Sequence, residues 1–256
     1  MPEMRTTESH FDIITYPFPR WEYPFYFRTL WECHGWRSLI KQFRPQFRRR
    51  FSRKLIYQYA PHGIGLEIGV GAYTIAPVSR TILSDGFQTH GQDRSLARVI
   101  FKADHIPYGN DSFDFILSEH ALEHLANPLK ALLEWKRALK VGAKIILFLP
   151  QKERTFDRSR SRTLLTHLIR DYENKTGDDD KTHLDEWYTQ VIQKGLAPHY
   201  SETAKTDLIK TGNIHHHVWI TEDLSEIFSW LGLKILYVLD KVPDREDSFV
   251  IVGEKR

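Results

Sequence analysis

The run Glu67-Ile68-Gly69-Val70-Gly71 puts two glycines directly after a short apolar stretch. Glycine at the end of a strand lets the backbone approach a ligand closely, and a helix starting there would offer N–H groups. A dinucleotide turn of the form G-x-G-x-x-G lacks its third glycine here, because Thr74 occupies that place. The acid just before the turn, Glu67, is a poor neighbour for a pyrophosphate and suits a ligand with a positive end. Histidine is the side chain best matched to general-base work near neutral pH. Of the 13 histidines, His120 and His124 follow the apolar run Phe113 to Ser118, and His215, His216 and His217 stand together before the last helical pattern. In an extended chain His215 and His217 share one face and His216 the other. His120 and His217 are the candidate catalytic bases, whereas His124 is expected to brace the next loop. Asp171, His183, Glu186 and the histidine triplet also offer metal ligands, but no spacing among them fixes a geometry and no metal is expected. Asp178-Asp179-Asp180 lacks the glycine and terminal glutamate of a calcium loop and reads as a solvated turn.

Alternating strands and helices must position these groups. Gly65–Ile68 reads as a first strand, Thr81–Gly86 as a second ending at an acid, Arg98–Ala103 as a third and Phe113–Ser118 as a fourth. Asn127-Pro128 supplies a helix N-cap with proline at the first helical position. Leu129, Leu132 and Leu133 share the helix's apolar face, and Gly142 is its expected stop. Ala143–Leu149 is a fifth strand, apolar throughout as a strand buried on both faces should be. Residues 151–219 are polar and break the alternation. Thr221 is then expected to cap a helix carrying Glu222 and Asp223 in its first turn, ended by Gly232. Leu233–Leu239 and Phe249–Val252 form a closing hairpin. The fold class is α/β.

The chain has 256 residues, 41% of them hydrophobic and 27% charged, which suits one substantial core and excludes a disordered or low-complexity chain. Its longest apolar runs are strand-sized, and the start has no apolar signal segment, so a cytoplasmic protein is expected. A single cysteine, Cys33, excludes an internal disulfide and a cysteine-based zinc site. The net charge of +3 conceals an asymmetry: residues 1–60 hold 11 Lys/Arg against 5 Asp/Glu, leaving 25 against 28 for the remainder. Fifteen of the 33 aromatics also fall in that front segment.

Several ordered motifs together resemble the class I S-adenosylmethionine (SAM)-dependent methyltransferases. Gly65–Ala72 resembles their first motif, and Ala103-Asp104-His105-Ile106-Pro107-Tyr108 their D-A-x-x-L-P-F segment. Asp111-Ser112-Phe113-Asp114-Phe115-Ile116 is similar to their x-S-F-D-x-V strand, and Ser118-Glu119-His120-Ala121-Leu122-Glu123-His124 to their S-x-x-x-x-E-H ending. Lys140-Val141-Gly142-Ala143 stands at their K-P-G-G turn without its proline and second glycine. The resemblance implies a Rossmann-like, mostly parallel seven-stranded sheet with an antiparallel last strand, and SAM as cofactor. Residues 61–150 and 220–256 would form the SAM-binding core, 1–60 an N-terminal cap and 151–219 a substrate-recognition insertion. It also implies that Gly69 and Gly71 face the methionine part, with Glu67 near its ammonium. Asp85, with Asp93 as the alternative, would take the ribose hydroxyls; Asp104, beside His105, would take the adenine amine, and Ser118 would lie at the cofactor's edge.

More loosely, Pro150–Arg158, His167–Tyr172 and His215–Val218 resemble a bacterial subgroup that accompanies surface-polysaccharide assembly. This implies O-methylation of a sugar or of a surface-glycan or lipid-linked precursor. An RNA methyltransferase and a non-catalytic SAM-binding scaffold are the alternatives. Arg37–Lys54 carries eight Lys/Arg and no acid. Phe47, Phe51 and Leu55 lie four apart there, as the inward face of a cap helix. The arginines, with the aromatics upstream, suit peripheral contact with anionic lipid at the inner face of a membrane better than nucleic acid.

Overall fold

The structure is a computed structural model that describes residues 20–33, 49–90, 93–178, 180–197 and 214–256. A helix, α1, spans residues 23–33 after a single turn at Arg20–Glu22. Next come α2 (Arg50–Tyr59), β1 (Gly65–Ile68), β2 (Thr81–Asp85) and two short antiparallel strands, β3 (Thr89–His90) and β4 (Asp93–Arg94). Strands β5 (Val99–Ile100) and β6 (Phe113–Glu119), helix α3 (Pro128–Ala138) and strand β7 (Leu139–Pro150) follow. The polar stretch holds α4 (Leu165–Glu173) and α5 (Thr182–Trp187). The chain closes with α6 (Thr221–Trp230), β8 (Leu233–Leu239) and β9 (Ser248–Lys255).

Seven strands form one sheet in the order β5-β2-β1-β6-β7-β9-β8. The first five are mutually parallel, while β9 runs antiparallel to both β7 and β8. The expected seven-stranded α/β sheet is therefore present. Alternation along β7 feeds two cores. Ile145, Leu147 and Leu149 pack with Leu129, Leu132, Trp135, Leu168, Ile227 and Phe228 on one face. Ile146 and Phe148 pack with Tyr26, Leu30, Leu55 and Ile56 on the other. Helices α1 and α2 thus cover the second face, with Phe51 and Leu55 turned inward as expected. Phe47 and the stretch 34–48 lie outside the described residues.

Four local expectations are corrected. No helix follows the glycine turn: residues 70–80 run as turns from β1 to β2. Gly69 and Gly71 both take positive φ, +74° and +54°, which coils the chain the wrong way for a right-handed helix start. The third strand shrinks to Val99–Ile100, an edge strand paired only with β2. Helix α3 begins as expected, with the Asn127 side chain accepting from Lys130 N at 3.1 Å, but it ends at Ala138 because Leu139 is already extended and aligned with Phe113. Gly142 instead serves an irregular turn within β7 at φ +78°. At α6 the cap is Ile220, whose N–H donates to Asp223 Oδ2 at 2.9 Å; the Thr221 hydroxyl donates to Asp240 at 2.7 Å. Among the described residues no helix is long and apolar enough to cross a membrane.

Candidate active site at the carboxyl edge of the sheet

Strands β1, β2 and β6 end side by side, with Ile68 in register with Ser84 and Ser118. In open parallel sheets, this carboxyl edge is where ligands bind. The chain leaving β1 turns through Gly69, where an added Cβ would stand 2.3 Å from Ala121 Cβ. Glycine is required there so that the loops after β1 and β6 can touch. Asp85, at the tip of β2, reaches across: its Oδ2 accepts from Gly71 N at 2.9 Å and from the Ser95 hydroxyl at 3.1 Å. Among the described residues Oδ1 accepts only a long bond from Phe87 N, 3.3 Å, which leaves it acceptor capacity. A positive-φ double-glycine turn held by a carboxylate with a spare oxygen fits a ligand that brings hydroxyl donors. Asp93 lies in β4.

The other predicted binding residues divide into braces and rim. Glu67 is buried and accepts a short hydrogen bond from the Thr74 hydroxyl, and burial pushes its carboxyl up to about 8. The Ser118 hydroxyl donates to Ile68 O at 3.0 Å, tying β6 to β1. Both support the turn from behind. Asp104 pairs with Lys130 at 2.6 Å, and His105 beside it is exposed.

Sequence reasoning missed the charge network beneath the site. Arg49 and Arg53 stand one helical turn apart and turn inward. Arg53 is fully buried, donates to Thr74 O at 2.8 Å and lies over the Tyr26 ring. Arg49 pairs with Glu119, the last residue of β6, and approaches Asp244 at 3.6 Å. Arg245, from the loop between β8 and β9, donates to Glu119 at 2.8 Å. Burial acts to raise the Glu119 carboxyl, but the two guanidiniums outweigh it and hold it below the ordinary range. The i, i+4 spacing of Arg49 and Arg53 was visible in the sequence; the groups they meet, Glu119 and the Thr74 carbonyl, were not.

His120 leaves β6 at φ +51°, an uncommon conformation for a residue with a Cβ. Arg245 donates to its Nδ1 at 3.0 Å, so the ring proton sits on Nε2 and donates to Ser248 Oγ at 2.6 Å. Burial, then the nearby guanidinium, holds its pKa well below the usual histidine value. The Glu123 carboxyl lies 3.7 Å from Nδ1, is fully buried with no hydrogen-bond partner for either oxygen among the other described residues, and is pushed up to about 7 by burial.

The histidine triplet does not split by alternating faces. His215 binds Asp157 at 2.5 Å and packs on the His124 ring, while His216 and His217 both lie against His183. His217 is completely buried among His167, His183 and Trp219. His124 bonds Ile214 O at 2.9 Å, a brace to a segment distant in sequence rather than to the next loop. Glu186 is drawn away to Arg160 at 3.1 Å.

Parts of the chain are similar to known proteins. Residues 70–147 match the family model described as a methyltransferase domain. An uncharacterized protein of Methanocaldococcus jannaschii is 37% identical over 94 residues, 35% of this chain and 46% of the relative, so the match spans about half of that protein's length. Burkholderia thailandensis 1,6-didemethyltoxoflavin-N1-methyltransferase, solved with bound 1,6-didemethyltoxoflavin and S-adenosylhomocysteine, superposes with a TM-score of 0.50 at 10% identity, covering 93% of this chain and 90% of that one. A Thermotoga maritima SAM-dependent methyltransferase, described as a possible histamine N-methyltransferase, gives 0.49 at 21% identity over 86% of this chain and 97% of that one. Residues 70–147 are thus similar to a methyltransferase domain, and the sheet order is that of a Rossmann-like α/β fold.

Proposed function

We propose that the protein transfers a methyl group from SAM to a hydroxyl of a sugar, in a surface-glycan or lipid-linked precursor. The observation that carries the SAM reading is the positive-φ turn at Gly69 and Gly71 bound by Asp85, with one Asp85 oxygen left largely unengaged. Gly69, Gly71 and Asp85 would hold the cofactor directly, Asp104 and His105 would flank it, and Glu67 and Ser118 would keep the turn in place. When bound, SAM supplies an electrophilic methyl on a sulfonium.

Residues 151–219 are assigned to acceptor recognition, because they interrupt the fold directly after β7. Of the two candidate bases, His120 is favoured over the fully buried His217. An acceptor hydroxyl that displaces Arg245 from His120 Nδ1 would donate to that lone pair. As the oxygen–carbon bond forms, the proton would pass to Nδ1, and the Glu123 carboxylate 3.7 Å away would balance the imidazolium. Membrane-presented acceptors are favoured by the exposed aromatics Trp21, Phe25 and Trp31 at the start and along α1, near the basic run in sequence.

The test incubates the protein with methyl-labelled SAM and separated glycan, lipid-linked glycan and RNA pools. Label entering a glycan pool as a base-stable ether supports the proposal. Label entering RNA alone overturns the acceptor, and binding of NAD but not SAM in calorimetry overturns the cofactor.

A further inference from the structure

We propose that His167, Asp171, His183 and His217 form a closed four-ligand site for a divalent transition metal of the zinc class, which ties α4 and α5 to the segment before α6. The inference stands apart from methyl transfer. His167 and Asp171 lie one turn apart on α4, His183 lies on α5, and His217 lies on the segment leading into α6. One donor atom from each falls within 4.8 Å of the other three. His167 Nε2 is 3.2 Å from His183 Nε2 and 3.1 Å from Asp171 Oδ2, and His217 Nε2 is 3.9 Å from the same oxygen. Tetrahedral ligands with bonds of about 2.0–2.1 Å stand roughly 3.3 Å apart. Two of these separations already lie close to that spacing, and the third needs a small inward movement.

The polar bookkeeping points the same way. Asp171 Oδ2 is buried with no hydrogen bond among the described residues, although two imidazoles approach it. Its other oxygen accepts from the Thr176 hydroxyl at 3.3 Å, which leaves Oδ2 turned to the histidines. Two imidazole nitrogens facing each other at 3.2 Å must share a proton or a cation. Without metal, His217 Nε2 keeps its proton toward Ala126 O at 3.3 Å; metal binding would move that proton to Nδ1, which has no acceptor among the described residues. Three imidazoles and one carboxylate suit zinc or cobalt over magnesium or calcium. Four protein ligands leave no open position, which marks a structural site. Its span would fasten α4 and α5 to the backbone of the loop after β6, where His216 N donates to Glu123 O at 2.8 Å.

The test uses the full chain freed of any histidine tag, loaded with zinc, dialysed against metal-free buffer and assayed by elemental mass spectrometry. About one zinc per chain is expected, with the visible bands of tetrahedral cobalt after cobalt substitution and a melting temperature lowered by chelator and restored by zinc. His183→Gln and Asp171→Asn should weaken zinc at least about tenfold, with Asp171→Asn, the more conservative change, checked for native circular dichroism. Sub-stoichiometric zinc in the wild type without cobalt bands would leave only a proton-sharing histidine cluster and overturn the site. Zinc that survives both substitutions would place the ion elsewhere and overturn it equally.

Discussion

At the scale of single residues, two buried groups next to the glycine turn have testable behaviour. Glu67 keeps its proton up to about 8 in the folded protein, against 4.5 for an ordinary glutamate. The unfolded chain therefore releases this proton first, and the group's contribution to stability is fully present below about 4.5 and declines as pH rises to about 8. Glu67→Gln should flatten that decline, so its melting temperature gains on the wild type between pH 5 and 8 in a thermal-denaturation series; parallel curves would refute the protonated Glu67. For His120, replacement by alanine should cost on the order of a hundred-fold or more in kcat while SAM binding by calorimetry stays near wild type. A variant that turns over normally would leave the acceptor proton to another group.

At the scale of elements, α2 works through charge sorting. Its basic character looked like a surface property, yet Arg49 faces Glu119 at the end of β6 and Arg53 faces the Thr74 carbonyl, while Arg50 is exposed. Arg49→Gln strands Glu119 with Arg245 as its remaining cation. It should destabilise by about 3 kcal/mol, the low end for breaking a buried ion pair. Arg50→Gln should stay within about 0.5 kcal/mol in the same urea titrations. If the two variants unfold alike, the inward role of Arg49 fails. The turn after β1 has a similar requirement. Gly69→Ala drives a methyl into Ala121 at φ +74°, and overpacking of this kind costs roughly 1–3 kcal/mol. Ala121→Gly in the same chain should recover part of that loss, because it removes the methyl that collides.

At the scale of the whole molecule, binding at the sheet edge should couple to global stability. The glycine turn leads from β1 to β2 and touches the loop after β6, so it joins the second to fourth of the seven strands. A ligand at about 100 times its dissociation constant stabilises the native state by roughly 2.7 kcal/mol. SAM and its demethylated product should each raise the melting temperature in a concentration-dependent way, and NAD should not. Asp85→Ala should right-shift the SAM dependence without lowering the ligand-free melting temperature by a comparable amount. A Tm that ignores SAM at millimolar concentration would argue against the cofactor.

The order of strands, the Asn127 cap and the closing hairpin could be read from the sequence because each rests on neighbours in the chain: apolar runs of strand length, an N-cap before proline, and a turn-rich stretch between two apolar runs. The glycine turn and Asp85 were legible for the same reason, each sitting at the end of a strand. Tertiary structure alone decided the rest. The absence of a helix after Gly71 follows from two positive-φ glycines one residue apart and from α1 and α2 filling the face that such a helix would cover. Which arginines of α2 turn inward depended on Glu119 and Thr74, dozens of residues away. The histidines were visible as a count, but not as a cluster. His167 and Asp171 show their i, i+4 spacing locally, whereas His183 and His217 join them only because α4, α5 and the segment before α6 pack together, and a sequence carries distances along the chain rather than across it.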